Sequence, residues 1–270
     1  MIHQPIVMGI LNINEDSFYS GNRYADGDAL LLRAQQMIAD GAVILDIGGQ
    51  STRPGSEAVS ADEELARVIP AIEAIHKIFP EMIISVDTFY AKVAKEAVHA
   101  GASIINDISA GSFDETLIDT VASLKVPYVL MHMQGTPQTM QNHPHYEDVC
   151  REVLDFLIQK VAFIKSKGIK DIIIDPGFGF GKNATHNFAL LKNLELFKIL
   201  DLPLLLGVSR KGFIYRTLGT DAEQALNGTT VLNTLGLING ADILRVHDVK
   251  QAAEAVRLTQ VIYPRQRSLP

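Results

Sequence analysis

The sequence predicts a single-domain α/β protein in which eight strand–helix units close into a (β/α)8, or TIM, barrel. First, short runs rich in Val and Ile recur along the chain, and each is followed by a segment with helical spacing. Second, these units continue towards the C-terminus without a linker or a low-complexity stretch. Third, no dinucleotide-binding fingerprint follows the first strand, as it would in the alternative, an open doubly wound sheet.

The predicted strands are mostly apolar rather than alternating, which is typical of parallel strands that are buried on both faces. In order along the chain they occupy 5–11, 42–47, 82–87, 103–107, 127–132, 171–175, 203–208 and 242–246. The chain length of 270 residues suits a single barrel, because α/β barrels of this size fold as one domain.

Amphipathic helices are predicted between the strands. The clearest lies in 149–164, where apolar side chains share one helical face: Val149, Val153, Phe156, Leu157, Val161 and Ile164. Glycines suited to end a helix precede several strands, at Gly41, Gly101, Gly168 and Gly240. Pro70 falls inside the helical run 62–78, where its missing backbone N–H predicts a kink or a split.

Composition argues against several classes of function. The chain has 24 Lys and Arg against 31 Asp and Glu, without a basic stripe, so nucleic acid is not expected as a partner. Its one cysteine, Cys150, cannot form an internal disulfide. No apolar run reaches the ~20 residues of a membrane span, and the N-terminus lacks the features of a signal peptide. We therefore expect a cytoplasmic protein with no membrane partner, a single domain 1–270 in which 264–270 is a flexible tail.

Hydrogen-bonding and charged residues follow nearly every predicted strand, at the end where the active site of such a barrel lies. They are Asn12, Asp16, Asp46, Asp87, Thr88, Asn106, Asp107, His132, Asp175, Ser209, Arg245, His247 and Asp248. Any one of the Asp or Asn residues could cap the next helix, and His132 alone could be a satisfied core histidine. Stability does not require such groups at nearly every strand end, so together they predict a functional site at this rim.

Cationic groups recur at the same strand ends although the protein carries a formal net charge of -7. They are Arg53, Lys182, Arg210, Lys211, Arg245 and His247. Such a cluster suits an anionic ligand, because guanidinium groups bind phosphate oxygens in bidentate fashion. For Arg210 and Lys182 an ion pair with a nearby Asp is the alternative.

A second set of strand-end residues consists of short acceptors: Asp87, Asn106 and Asp175. A carboxylate accepts two neighbouring N–H donors, such as those of a 2-amino-4-oxopyrimidine edge. The two sets together suit a ligand with a phosphate tail and a guanine-like head. The glycine-rich segment 175–183 (DPGFGFGKN) does not have the Walker spacing and is interpreted as a flexible loop that carries aromatic side chains.

In these segments the chain resembles the dihydropteroate synthase family from the first strand to the eighth. The matching motifs are MGILN (8–12), DSF (16–18), DIGGQSTRPG (46–55), VDT (86–88), IND (105–107), MHM (131–133), DPGFGFGK (175–182), GVSRK (207–211) and RVHD (245–248). The resemblance implies a (β/α)8 barrel and a transferase of folate biosynthesis. That enzyme condenses (7,8-dihydropterin-6-yl)methyl diphosphate with 4-aminobenzoate and releases 7,8-dihydropteroate and diphosphate.

The resemblance also implies a role for each matching residue. The catalytic residues would be Asn106, Asp175, Lys211 and Arg245. The pterin would be bound by Asp87, Asn106, Asp175, Lys211 and Arg245. The diphosphate would be bound by Asn12, Thr52, Arg245 and His247. The aminobenzoate would contact Phe18, Thr52, Pro54, Phe180, Lys211 and Gly212.

Cofactor and assembly are implied in the same way. Mg2+ would be coordinated by Asn12 together with diphosphate oxygens, and a homodimer would form through the last helices. The family is also a target of sulfonamides. Because the arylamine is neutral and nucleophilic at pH 7, no strong general base is required, which agrees with the lack of an obvious Ser-His-Asp or Cys-His set.

Several positions depart from the family pattern: Asn14, Glu15, Ser20 and Asn22 in the first loop, Gln50 in place of Glu, and Gly212 in place of Ser or Thr. Two rival functions stay open at this point. A methyltetrahydrofolate corrinoid methyltransferase would share the pterin-binding acceptors, but Arg53, Lys211, Arg245 and His247 count against it because it needs no diphosphate site. A non-catalytic pterin-binding paralogue is left open by the altered first loop.

Overall fold

The computed structural model describes residues 4–13, 23–50, 59–140 and 144–264, except for the side chains of 23–27. Within these residues eight parallel strands alternate with helices. The strands are β1 (Ile6–Asn12), β2 (Ile44–Gly48), β3 (Ile83–Asp87), β4 (Ile104–Asp107), β5 (Tyr128–Met131), β6 (Ile172–Asp175), β7 (Leu205–Leu206) and β8 (Ile243–Val246). Every predicted strand is present, with bounds that differ by no more than two residues.

The strands close into a barrel. Their order is β6-β5-β4-β3-β2-β1-β8-β7, and all neighbouring pairs are parallel. A parallel bridge between Ile174 and Leu204 joins β6 to the segment before β7, and the Ile174 N–H donates to Pro203 O at 2.9 Å. The predicted single-domain (β/α)8 barrel is confirmed, and the open doubly wound sheet is excluded.

The helices surround the barrel and follow the strands in sequence. They are α1 (Arg23–Asp40), α2 (Ala61–Ile78), α3 (Ala91–Ala100), α4 (Leu117–Leu124), α5 (Val149–Ser166), α6 (Ala184–Lys192), α7 (Gly212–Leu218), α8 (Leu226–Ile238) and α9 (Val249–Ile262). Short 3-10 helices occupy Leu194–Leu200 and Glu223–Ala225. The glycines predicted to end helices all have positive φ, at Gly41, Gly101, Gly168 and Gly240.

Helix α2 runs unbroken through Pro70, so the predicted split is wrong. The helix begins with a capping box in which Ser60 and Glu63 bond each other's backbone N–H groups, at 3.3 and 2.9 Å. Beside Pro70, Val68 and Ala71 are fully buried in the core between the helix and the barrel. This packing on both sides of the proline stabilises the helix against the loss of one backbone hydrogen bond.

Alternation along the strands separates two cores. Side chains of one parity pack against the helices in the large outer core, among them Leu45, Ile84 and Leu244. Side chains of the other parity fill the barrel interior, where an apolar layer contains Met8, Ile44, Ile104, Val129, Ile173, Leu205 and Ile243. Two residues further along several of these strands, the inward position is polar. The polar residues of the candidate site therefore lie directly above the apolar layer of the barrel interior.

Among the described residues, no helix is both long enough and apolar enough to cross a membrane. Cys150 is buried in α5, and its Sγ lies 3.6 Å from Ala189 O. The segment predicted as a tail lies outside the described residues from position 265 onwards. The cytoplasmic location stays a prediction.

Candidate active site

Arg245 is the centre of a polar network at the C-terminal end of the barrel. From β8, its Nε donates to Asp46 Oδ2 in β2, and its Nη2 donates to Asp87 Oδ2 in β3, both at 2.6 Å. Asn106 in β4 donates from Nδ2 to the same Asp46 oxygen at 3.0 Å. Side chains from four strands are therefore held in one connected group by charge-assisted hydrogen bonds.

Asp46 is a residue to which the sequence analysis assigned no role. It is fully buried and occupies an inward position of β2, opposite Ser85 in the register with β3. Because it bonds both Arg245 and Asn106, it fixes the orientation of two residues that are expected to contact the pterin. Its place at the rim was expected, because it is one of the polar strand-end residues and lies two positions before the GGQ segment (48–50).

The charges in this network stabilise each other against burial. Burial raises the pKa of Asp87 to about 7, an effect that Arg245 opposes and that Asp46 and Asp107 reinforce. Burial lowers the pKa of Arg245, but Asp46 and Asp87 more than offset this, so its pKa lies above the ordinary value. The guanidinium therefore stays charged and favours the ionised form of Asp87.

Asp175 lies across the barrel mouth from this group, at the end of β6. Its Oδ1 accepts a hydrogen bond from Gly177 N at 2.7 Å. Burial raises its pKa, whereas the charge of Lys211 and the Gly177 N–H lower it. A Cβ at Gly207, just after β7, would lie 3.8 Å from Asp175 Oδ2 and 4.0 Å from Lys211 Nζ. The glycine therefore leaves space beside a carboxylate and an ammonium group.

Lys211 immediately precedes α7 and reaches back over the loop that follows β6. Its Nζ donates to Phe178 O and lies 4.6 Å from the centroid of the Phe180 ring, a cation–π contact. Burial lowers the pKa of Lys211 to about 8, and the charge of Asp175 opposes this. Gly212, the next residue, begins α7.

The five residues expected to bind the pterin therefore converge on one rim: Asp87, Asn106, Asp175, Lys211 and Arg245. Arg245 bonds Asp87 directly, and Asp46 links Arg245 to Asn106. Lys211 is close enough to Asp175, Arg245 and Asp87 for their charges to change its pKa. What each of them does towards a ligand stays a prediction.

Lys182 does not belong to this rim, and its expected place in the anion-binding cluster is wrong. Only 2% of the residue is exposed. Its Nζ lies 2.9 Å from Gly177 O, 3.0 Å from Phe180 O and 2.9 Å from His132 Nδ1. The alternative, an ion pair with an Asp, is not what the described residues show either, because carbonyl oxygens and an imidazole are its partners.

Arg210 is also not available to bind an anion, because its guanidinium group is already paired. Its Nε and Nη2 donate to the two carboxylate oxygens of Asp248, each at 2.8 Å. Its Nη1 donates to Ala222 O and Glu223 O at 2.9 and 2.8 Å. This is the ion pair considered as the alternative, and the bidentate geometry joins the turn after β7 to the start of α9.

His247 and Asn12, both expected at the diphosphate, lie at the ends of neighbouring strands. His247 Nδ1 is 2.9 Å from Ser209 Oγ, which also accepts from His247 N at 3.1 Å. Asn12 is exposed and pairs in register with Gly48 of β2. A Cβ at Gly48 would lie 3.6 Å from Asn12 Oδ1 and 3.5 Å from Asp87 Cβ. The amide of Asn12 therefore lies next to the acceptors of the rim.

Some strand-end residues have structural roles. Asp107 is fully buried; its Oδ2 accepts from Tyr128 OH at 2.6 Å and from Gly111 N at 2.7 Å. His132 lies against Lys182, and burial lowers the pKa of its imidazole to about 3. Asp107 and His132 are therefore buried polar groups whose hydrogen bonds are made within the protein.

Glu64 in α2 is a buried carboxyl that sequence reasoning missed. It is fully buried, and its Oε2 accepts from Gln50 Nε2 at 3.1 Å. Burial raises its pKa to about 8, a hydrogen bond from Thr88 opposes this, and the charge of Asp87 reinforces it. Its neighbour Arg67 donates to Gly49 O at 3.0 Å. Gln50, which departs from the family pattern, is thus paired with a carboxyl group.

Several expected residues lie outside the described part of the chain. They are Asp16, Phe18 and the first-loop departures Asn14, Glu15, Ser20 and Asn22, together with Thr52, Arg53 and Pro54 in the loop after β2. Their roles stay predictions.

Comparison with known proteins identifies the family. A family model described as "Pterin binding enzyme" matches residues 8–247. The dihydropteroate synthase of Escherichia coli (strain K12) is 44% identical over 261 residues, which are 96% of this chain and 92% of that protein. The chain belongs to the dihydropteroate synthase family. The Bacillus subtilis (strain 168) member is 47% identical over 259 residues, 94% of this chain and 87% of that one.

Solved structures of the dihydropteroate synthase family have the same fold. A Yersinia pestis enzyme in a sulfonamide drug complex superposes with a TM-score of 0.91 at 40% identity, covering 97% of this chain and 95% of that one. A Xanthomonas albilineans enzyme in complex with 7,8-dihydropteroate superposes with a TM-score of 0.85 at 38% identity, covering 100% and 96%. The predictions of an enzyme, of its family and of its fold class are confirmed.

Proposed function

We propose that this chain condenses (7,8-dihydropterin-6-yl)methyl diphosphate with 4-aminobenzoate to form 7,8-dihydropteroate and diphosphate. The observation that carries the proposal is the convergence of acceptors and cations on one barrel rim. Arg245 bonds Asp46 and Asp87, while Asp175 and Lys211 flank the space beside Gly207. Relatives named for this activity, at 44% and 47% identity, support it.

The pterin head is bound between the two sides of the rim. Asp175 presents carboxylate oxygen to the neighbouring N–H donors of the 2-amino-4-oxopyrimidine edge. Asn106 donates from Nδ2 to Asp46, and its amide oxygen suits a further ring N–H. Lys211 donates to a ring acceptor, and the planar guanidinium of Arg245 stacks against the bicycle. Asp87 completes the set of acceptors and is held by Arg245.

The diphosphate is bound by Asn12, Thr52, Arg245 and His247, and Mg2+ joins it there. The donor set fits this ion, because Mg2+ prefers oxygen ligands and is commonly held by one or two protein groups together with substrate phosphates. Asn12 offers one exposed amide oxygen at the rim. When bound, Mg2+ supplies positive charge that stabilises the departing diphosphate.

The residues promote bond cleavage chiefly by positioning and by electrostatics. Arg245 and His247 stabilise the charge that grows on the diphosphate as the carbon–oxygen bond breaks. The electron-rich dihydropterin delocalises the positive charge that develops on its methylene group. The neutral amino group of 4-aminobenzoate then attacks the methylene carbon and forms the new carbon–nitrogen bond. The positively charged nitrogen that results is acidic and gives its proton to water or to the released diphosphate, so no strong base on the protein is needed.

The aminobenzoate is bound by Phe180, Lys211 and Gly212, with Phe18, Thr52 and Pro54 from the first two loops. Phe180 and Lys211 are already in contact, so a flat aromatic acid meets a ring and a cation together. Complexes of related enzymes support the binding of such an aromatic ligand. A Xanthomonas albilineans enzyme was solved with 4-aminobenzoic acid, and a Yersinia pestis enzyme with a sulfonamide drug. Sulfonamide binding at the same place is part of the proposal.

A homodimer through α8 and α9 is supported by exposed apolar side chains. On α8 these are Val231, Leu235 and Ile238, which recur at helical spacing on one face. On α9 they are Leu258, Val261 and Ile262, with 82% of Val261 exposed. The two helices pack against each other, so the side chains can form one apolar surface. A contiguous apolar surface of this kind is typical of a subunit interface.

The decisive experiment is a diphosphate-release assay in which each substrate is omitted in turn. We expect release in the presence of Mg2+ only when both the pterin diphosphate and 4-aminobenzoate are present. Release without 4-aminobenzoate would indicate a hydrolase, and binding of the pterin without release would indicate a non-catalytic paralogue. Either result would overturn the proposal.

A further inference from the structure

The ammonium group of Lys182 lies inside the turn formed by residues 177–181. Gly177 O, which accepts from Lys182 Nζ at 2.9 Å, also accepts from Phe180 N at 3.1 Å. Phe180 O and His132 Nδ1 are the other close partners of Nζ, at 3.0 and 2.9 Å. One side chain thus joins both ends of the turn to the end of β5.

The backbone conformation of this turn requires glycine at position 177. Gly177 has φ of 72°, and a Cβ there would lie 1.8 Å from His132 O. Only glycine fits such a close approach. Asp175 Oδ1 accepts from Gly177 N, Asn187 Oδ1 accepts from Gly179 N at 2.7 Å, and Gly181 O accepts from Tyr146 OH at 2.9 Å. Three side chains from outside the turn therefore bond its backbone.

The outer side of the same turn carries the contacts of Lys211. Phe178 O accepts from Lys211 Nζ, and the Phe180 ring lies 4.6 Å from that nitrogen. Phe178 is fully buried, so its carbonyl cannot move without moving the turn. Lys182 and Lys211 thus donate to different carbonyl groups of one short segment.

We infer that Lys182 is a positioning residue, which holds the 177–181 turn so that Phe178 O and the Phe180 ring place Lys211 for both substrates, and that it does not bind the diphosphate. The inference rests on the proposed function for what Lys211 and Phe180 contact. Burial lowers the pKa of Lys182 well below its ordinary value, which agrees with a group that does not face a solvated anion. Its acceptors are uncharged, so its role is geometric.

The test uses Lys182→Met, which keeps the length of the side chain and removes its donors. Lys192→Met, at an exposed position in the last turn of α6, is the matched control. For Lys182→Met we expect the KM for 4-aminobenzoate to rise by about tenfold and kcat to fall, because Lys211 and Phe180 lose their support. The inhibition constant of diphosphate as product should stay within about twofold of the control.

A diphosphate inhibition constant that weakens about tenfold or more, with an unchanged KM for 4-aminobenzoate, would overturn the inference and return Lys182 to the anion site. Kinetic constants equal to those of the Lys192→Met control would overturn it as well.

A second readout needs no turnover and separates this inference from the proposed function. Hydrogen exchange of the amides in 177–181 should be faster in Lys182→Met than in the control, because the turn opens. Unchanged exchange contradicts the inference even if the protein has another activity. If Lys182→Met does not fold, Tyr146→Phe removes only the hydroxyl that bonds Gly181 O. Tyr146→Phe should also increase the exchange rate of the amides in 177–181 and the KM for 4-aminobenzoate. If neither quantity changes, the role of the turn is rejected.

Discussion

Arg245 and Asp46 are separated by 199 positions in the sequence, yet the Nε atom of the arginine lies 2.6 Å from the Oδ2 atom of the aspartate. The parallel pairing of β8 with β1 and of β1 with β2 brings them together at the barrel mouth. Asp46 also accepts from Asn106, so one buried carboxylate orients two residues that are proposed to contact the pterin.

Asp46→Asn should lower kcat/KM for the pterin diphosphate by roughly tenfold, because it removes the charge that orients Arg245 while keeping the shape of the side chain. Steady-state kinetics with varied pterin diphosphate measure this. Asp119→Asn, at an exposed carboxylate paired with Lys167 at 2.8 Å, is the control. A wild-type value of kcat/KM in Asp46→Asn would show that the contact does not matter for function.

Lys211→Ala and Asp175→Asn should each reduce turnover by roughly tenfold or more, because each removes a charged contact from the proposed pterin site. Turnover is measured as diphosphate release with both substrates at saturation. Lys165→Ala, an exposed position in α5, controls for the loss of a lysine elsewhere. Near-normal rates in both variants would contradict the site.

The pH dependence of the reaction should have a descending limb near the pKa of Lys211, which burial lowers to about 8. The ammonium group is the donor in the proposed complex, and it loses its proton as pH rises through this value. We therefore expect kcat/KM for the pterin diphosphate to fall above pH 8. Lys211→Arg should move this limb to higher pH because a guanidinium keeps its proton. An identical limb in both proteins would assign it to another group.

Burial raises the pKa of Glu64 from 4.5 to about 8. The protein should therefore become less stable as the pH rises through this range. In this range the unfolded chain gives up the proton whereas the folded protein keeps it, so ionisation favours unfolding. Glu64→Gln should remove this dependence. The free energy of unfolding of the variant relative to wild type should therefore increase with pH across the range and level off above it.

Denaturant titrations at several pH values test the effect of Glu64, with slopes no steeper than about 1.4 kcal/mol per pH unit for one proton. Glu73→Gln, at an exposed position of the same helix, is the matched variant for the change of charge. A difference between Glu64→Gln and wild type that is the same at every pH would contradict the prediction.

Val261→Glu should convert a dimer into a monomer, because it places a charge on the apolar surface of α8 and α9. Sedimentation velocity should give twice the chain mass of 29.5 kDa for wild type and a single chain mass for the variant. Leu32→Glu, 65% exposed on α1, changes an apolar residue elsewhere and should leave the assembly intact. A monomeric wild type would reject the proposed homodimer.

The sequence by itself determined the barrel and the rim on which the polar groups meet. Eight apolar runs with intervening amphipathic segments are local patterns, and each can be recognised without knowing its neighbours. The ends of parallel strands lie at one edge, so Asp87, Asn106, Asp175 and Arg245 could be expected together before any coordinate was known. Motif resemblance added the roles that are expected of them, because the order and spacing of the motifs are specific to one family.

Only the tertiary structure decided which charged residues face the ligand and which support the fold. Lys182 follows a glycine-rich segment, and Lys211 follows the end of a strand. Carbonyl oxygens bind the Lys182 ammonium group inside the turn, whereas Lys211 extends over the turn to the rim. Arg210 is bound to Asp248, and Glu64 is buried against Gln50. Burial and pairing are set by groups that lie far apart in the sequence, so no local pattern distinguishes a buried charge from one at the active site.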